Sequence, residues 1–165
     1  MSFPVDPDDI HPLNEAEKTE IEHLHRVFGE APRIYQVLDA QLAALHSRAL
    51  SLVQIAGVVI TVTGFSGRII ADTNHIAQLM IVTGLSLVVV AAAIAIGFVM
   101  PVRWISTYMH LGEEKWMAVA IRRRNRKTHA FWLASVILLF GMTFYIGSIS
   151  IMLMNPQAAE LKKVR

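Results

Sequence analysis

IAQLMIVTGLSLVVVAAAIAIGFVM, residues 76–100, runs through 25 positions without an acidic or basic side chain. A helix needs about 20 predominantly apolar residues to cross a bilayer, because in hydrocarbon each backbone N–H and C=O must find its partner inside the same helix. The stretch therefore reads as a membrane-crossing helix. ALSLVQIAGVVITVTGFSG, residues 49–67, and AFWLASVILLFGMTFYIGSISIMLM, residues 130–154, have the same character and are equally free of charge. The spacing predicts an all-α integral membrane protein with three transmembrane helices.

The composition agrees. Mean hydropathy is +0.47, with 54% hydrophobic and 17% charged residues, which is too apolar for an ordinary soluble domain of this size. The segments left over are each too short to bury a separate core. Residues 1–13 carry Pro4, Pro7 and Pro12 among Asp6, Asp8 and Asp9 and read as a flexible tail with no basic n-region or apolar h-region of a signal peptide. Residues 14–48 read as cytosolic amphipathic helices, 49–100 as a transmembrane hairpin, 101–129 as a basic cytosolic connector, 130–154 as the third span and 155–165 as a tail.

Local signals place the helices. Asn14 followed by Glu17 has capping-box spacing, and Ile21, Leu24, Val27 and Phe28 recur at helical period until Gly29 and Pro32 interrupt it. From Arg33, Ile34, Val37, Leu38, Gln41, Leu42 and Leu45 share a face, and no breaker precedes the first span, so this second cytosolic helix is expected to continue into it. The first turn, SGRIIADTNH, is short enough to demand a tight antiparallel hairpin. Pro101 ends the second span, and Trp104, Tyr108 and Leu111 beside Arg103 suit the headgroup layer. Glu113–Lys127 resumes a helical pattern, with Trp116, Val119 and Ala120 apolar and the cations Arg122–Lys127 following, that feeds the third span.

Cationic residues fix the orientation. With the N-terminus inside, Lys18, Arg26, Arg33, Arg48, Arg103, Lys115, Arg122, Arg123, Arg124, Arg126 and Lys127 are cytosolic, while Arg68, Lys162, Lys163 and Arg165 are outside. The positive-inside rule favours that arrangement, with a cytoplasmic N-terminus.

The candidate ligand site is the run Arg122, Arg123, Arg124, Arg126 and Lys127. Juxtamembrane cations anchor a helix at anionic headgroups, and guanidinium forks also match the oxygens of a phosphate or nucleotide, so both anionic lipid and phosphate ligands are candidates. Arg124–His129 fits the R-x4-H form of the HEPN ribonucleases, but those place the pair in a soluble helical dimer. A second candidate set is Ser51, Gln54 and Thr61, which with Ser47 form one polar stripe on the first span, suited to a helix interface or to pore lining in a homo-oligomer. Small-xxx-small pairs occur at Ala93/Gly97 and Ala130/Ala134. With no cysteine, no HExxH, no Walker loop and no serine elbow, the sequence offers no catalytic residues, no metal site and no cofactor, and an enzyme is not expected.

The order of parts, with LDAQLAALHSRALSLVQIAGVVI leading into the first span and EEKWMAVAIRRRNRKTHAFW into the last, resembles the small membrane effectors of Pycsar antiphage systems and the related SLATT-type effectors. Asp39, Ala40, Ala43 and Ala44 correspond to the Asp and small residues that open their first span, and Arg122–Lys127 to the basic helix before their last. The family's Asp-x-Lys-Ala wording reads Asp39, Gln41 and Leu42 here. The resemblance implies a homo-oligomeric, signal-gated, channel-like membrane effector of a bacterial defence system that senses a small nucleotide. The alternative is a structural accessory subunit of a larger membrane complex, with no activity of its own. In either case the bilayer is a partner and no nucleic acid is expected.

Overall fold

The computed structural model describes residues 12–71, 75–101 and 112–154. Within them every element is helical: α1 (Glu15–Phe28), α2 (Ala31–Ala71), α3 (His75–Ile94), a π-helical turn (Ala95–Val99) and α4 (Glu113–Met154). Three of these helices are long and apolar enough to span a membrane. The chain divides into two compact units, residues 1–47 with 101–129 and residues 48–100 with 130–165.

In the first unit, α1 starts where the capping spacing places it. The Asn14 backbone N–H donates to Glu17 Oε2 at 2.9 Å, and the Glu17 N–H donates to the Asn14 carbonyl at 3.0 Å. These bonds satisfy donors that a helix start otherwise leaves orphaned. α1 ends at Gly29, whose φ of +73° is readily reached only without a Cβ. α2 then begins at Ala31, so Pro32 lies in its first turn, where a missing N–H costs nothing. Pro32 therefore starts the second helix rather than only stopping the first. As expected, α2 continues unbroken for 41 residues, but α1 is separated from it by Gly29 and Glu30.

The core of this unit gathers Ile21 and Leu24 of α1, Ile34 and Leu38 of α2, and Trp116, Met117, Ala118, Val119, Ala120 and Ile121 of α4. Six consecutive buried residues turn through more than a full circle of helix, so this part of α4 is enclosed on every side. The sequence pattern gave it an apolar side of Trp116, Val119 and Ala120 alone. Val27, expected on the apolar side of α1, is instead exposed, while Phe28 packs partly against the core.

The second unit is built on a repeat of alternating three and four residues. Along α2 the buried positions are Ala49, Leu52, Ala56, Val59 and Thr63, along α3 Ala77, Ile81, Gly84, Val88 and Ala91, and along α4 Ala134, Leu138, Gly141 and Ser148. A mean spacing near 3.5 keeps one seam facing its neighbours, as in coiled-coil packing. At the closest approach α3 and α4 meet glycine to glycine. A Cβ built on Gly84 would lie 2.8 Å from the Gly141 carbonyl oxygen, and one on Gly141 2.9 Å from that of Gly84. Small residues are what allow helix backbones to touch without a hydrophobic driving force between them. Ser148 ties the other end of this contact, donating to the Ala77 carbonyl at 2.7 Å.

Of the small-residue pairs expected at helix contacts, Ala134 lies in the seam with no exposure, whereas Ala93 and Gly97 face outward. Their neighbours Ala91 and Ala95 take the seam instead. A further difference is the hairpin turn. α2 persists to Ala71 and α3 starts at His75, so the helices extend well into the stretch expected to be loop. α3 opens into the π-helical turn before Pro101, with Met100 N–H reaching the Ala95 carbonyl at 3.1 Å. The surface segment expected around Arg103, Trp104, Tyr108 and Leu111, and the tails at 1–11 and 155–165, lie outside the described residues.

Less than a third of the most apolar window of each long helix is buried within the chain. The remainder, including Ile55, Val58, Phe65, Leu79, Val82, Leu139 and Phe140, is exposed. So much apolar surface in one unit is far beyond the scattered patches of a soluble protein. Hydroxyl groups there behave consistently: Thr61, Thr63, Ser86, Ser135, Thr143 and Ser150 each donate to the carbonyl four residues back, which satisfies a polar group without water.

Candidate functional site

The basic run lies on α4 directly after the enclosed Trp116–Ile121 segment, so its backbone is held by a packed core. Arg122 points to α1. Its Nε and Nη2 donate to the two oxygens of Glu17, the latter at 2.7 Å, and Nη2 also reaches the Pro12 carbonyl at 3.0 Å. This two-pronged arrangement is the strongest geometry available to a guanidinium and a carboxylate. The Glu17 side chain is 16% exposed and that of Arg122 20%, so the pair is poorly hydrated and screened less than a surface pair.

Arg124 meets α1 one turn further along, its Nη2 2.7 Å from Glu20 Oε1. It also donates to Asn125 Oδ1 at 2.9 Å and to Gln41 Oε1 of α2 at 3.4 Å. Arg123 is half-buried, and Arg126 is exposed. Lys127 is half-buried and donates to the Pro101 carbonyl at 2.8 Å. The structure therefore gathers the five cations on one stretch of α4, with two of them already gripping carboxylates of α1.

The electrostatics follow from these contacts. Hydrogen bonds from Arg122 hold the Glu17 carboxyl below its ordinary value. A depressed glutamate stabilises the fold fully above the ordinary glutamate range, and that contribution fades as pH falls through the lowered value. Burial pushes the Lys127 ammonium below its ordinary value, and the charge of Arg123 adds to the shift. The second effect places the Arg123 guanidinium near Lys127.

The sequence pointed to Glu17 only as part of a helix cap, and not to Glu20. The available signal was two carboxylates at i, i+3, and thus on one face of α1, matching two arginines elsewhere in the chain. Their partners lie about a hundred positions away, beyond the reach of local pattern. Near the same core, Ala31, Pro32, Tyr35, Gln36, Glu113 and Trp116 line an open groove of about 540 Å³. Tyr35 and Trp116 stack edge to face there, with ring centroids 6.2 Å apart. Glu113 also lies 3.8 Å from His25 Nε2. Among the described residues no group of three His, Cys, Asp or Glu side chains converges as a metal site would require.

The second candidate set occupies the outward side of α2. Ser51, Gln54 and Thr61 are all exposed, away from the seam at Leu52, Ala56 and Val59. Thr61 donates to the Gly57 carbonyl at 2.8 Å, whereas the Gln54 carboxamide makes no hydrogen bond to the described residues. Gly57 and Gly64 have open space beside them.

No protein-family model matches this chain, and no curated protein or solved structure matches it either.

Proposed function

We propose that this chain is a homo-oligomeric, signal-gated membrane effector with channel-like spans, placed in a bacterial inner membrane with its N-terminus and basic connector in the cytosol. The observation that carries the membrane placement is the outward-facing apolar surface of three helices that each exceed bilayer thickness. α3 with its π-helical turn covers residues 75–99, about 37 Å at 1.5 Å per residue, against a hydrocarbon core of about 30 Å. α2 and α4, at 41 and 42 residues, are about 60 Å long and outrun the bilayer. A signal received on Arg122–Lys127 would thus act on a rod continuous with the third span.

Oligomerisation is supported by Gln54. A carboxamide exposed in hydrocarbon seeks a partner, and a second copy offers the same group as both donor and acceptor. The polar stripe would then line a subunit interface, or a lumen if enough copies assemble. The basic run supplies the receptor for a phosphate-bearing nucleotide or an anionic headgroup.

Purification in mild detergent followed by mass measurement tests the assembly. The expected result is a defined homo-oligomer; a stoichiometric foreign subunit would instead favour the structural accessory reading, and a monomer would remove the lumen. In cells, Arg123→Glu with Arg124→Glu is expected to abolish toxicity while the protein stays membrane-inserted. Undiminished toxicity would show that the basic run is not the receptor.

A further inference from the structure

We infer that α1 is a displaceable clamp: Glu17 and Glu20 occupy Arg122 and Arg124 as built-in competitors of a phosphate-bearing ligand, whose binding expels the two carboxylates and frees α1. The inference rests on the basic run being the receptor, and it names how that receptor is regulated.

Geometry comes first. A guanidinium fork that accepts two oxygens of one carboxylate accepts two oxygens of a phosphoester in the same way. Glu17 fills the fork of Arg122, and Glu20 stands 2.7 Å from Arg124 Nη2. These four side chains keep between 16% and 31% exposure, so a solute can reach them without unfolding the unit.

Charge balance comes next. Arg122, Arg123, Arg124, Arg126 and Lys127 lie within six consecutive residues of α4, and a stretch so dense in cations draws anions. Burial, and after it the nearby Arg123 charge, lowers the Lys127 ammonium, so these two cations stand close together on the same stretch. A ligand carrying two or more negative charges offers these arginines more than a carboxylate does, and it can bridge them in place of two separate acids.

Attachment is the third element. α1 is only 14 residues long, and Ile21 and Leu24 are its only fully buried side chains. Gly29 and Glu30 alone join it to α2, with Gly29 at φ +73° and no heavy atom within 4 Å of where a Cβ would stand. An isolated helix of this length is marginal in water, so loss of both ion pairs leaves little to hold it. Opening therefore needs rotation at two residues and exposure of Ile21 and Leu24 together with the partly buried Leu13 and Phe28, while Trp116–Ile121 of α4 can remain anchored on Ile34 and Leu38.

The test uses the full chain, which has no native cysteine, in phosphatidylcholine nanodiscs. Spin labels at Glu22→Cys on α1 and Lys115→Cys on α4 report the separation, and inorganic pyrophosphate is the soluble probe. The expected result is a longer, broader distance distribution with pyrophosphate. The same change on replacing phosphatidylcholine with phosphatidylglycerol, without pyrophosphate, would identify the headgroup as the source of the phosphate chemistry. Glu17→Gln with Glu20→Gln is expected to bind pyrophosphate about tenfold more tightly, equivalent to removing about 1.4 kcal/mol of competition. Glu20→Gln alone, which keeps the Glu17–Arg122 pair and hence the fold, should show a smaller gain in the same direction.

Binding that is lost in Arg122→Gln with Arg124→Gln, yet neither tightened by the glutamate changes nor accompanied by a distance change, would overturn the clamp and leave the receptor standing. Absence of binding to pyrophosphate and to phosphatidylglycerol in every variant would overturn both.

Discussion

Gly141→Leu is expected to drive α3 and α4 apart and to cost the second unit about 3 kcal/mol or more, because overpacking a tight contact without room to relax is among the most damaging core changes. The first atom of the new side chain is already excluded. A Cβ at Gly141 would sit 2.9 Å from the Gly84 carbonyl oxygen, 2.9 Å from Val88 Cγ2 and 3.1 Å from the Val88 backbone nitrogen. Two of those three atoms are backbone, so relief requires a helix to move rather than a rotamer to change. Separation would also stretch the Ser148–Ala77 hydrogen bond, leaving a buried hydroxyl to find another acceptor. Gly141→Ala should show the same effect at smaller size, about 1–3 kcal/mol. Gly64→Ala is the matched control: a Cβ there meets nothing within 4 Å, and alanine is the better helix former by about 1 kcal/mol. Unfolding in mixed detergent micelles, followed by circular dichroism, reads both. Equal stability of Gly141→Leu and the parent would mean that the glycine contact does not exist.

The second large effect is expected in the first unit. Ile121→Ala should destabilise it by about 2–4 kcal/mol, since truncating a fully buried isoleucine loses its transfer energy and leaves a cavity in a packed site. Ile121 has no exposure, and it adjoins Arg122 in the sequence, whose two-pronged pair to Glu17 depends on the α4 backbone staying in place. Loss of packing is therefore expected to show as faster amide exchange throughout α1, with α3 unaffected. The control is Leu139→Ala, where the side chain is 66% exposed and only lipid or detergent contact is removed. Unchanged exchange in α1 would contradict the enclosure of α4.

Much of this architecture is legible in the residues. The stretch 76–100 lacks charge and ends before Pro101, and the structure places the corresponding helical region at His75–Val99. Continuity of α2 and α4 follows from the absence of any breaker, and the start of α1 from the Asn14–Glu17 spacing. What escapes the sequence are the relations between distant segments. Trp116, Val119 and Ala120 read as one apolar face, because periodicity reports the polarity of a helix and not how many neighbours surround it. The union of Glu17 with Arg122 spans 105 positions, and carboxylates and arginines have many alternative partners at that separation. In the spans the apolar residues cover all sides of each helix, so no polarity difference says which side meets a neighbour. Gly84 and Gly141 are two of nine glycines. Only the assembled helices reveal that these two touch, while Ala93 and Gly97 look outward and Ser51, Gln54 and Thr61 lie off the seam.

The central claim is that three helices cross the bilayer with the arginine-rich connector in the cytosol. Because the chain has no cysteine, a single Glu114→Cys in the first turn of α4, exposed and just ahead of the basic run, gives a clean reporter. Intact cells are treated with a membrane-impermeant maleimide and compared with permeabilised cells. The account predicts labelling only after permeabilisation, with the chain remaining in the carbonate-washed membrane fraction. Labelling in intact cells, or recovery of the chain in the soluble fraction, would contradict it.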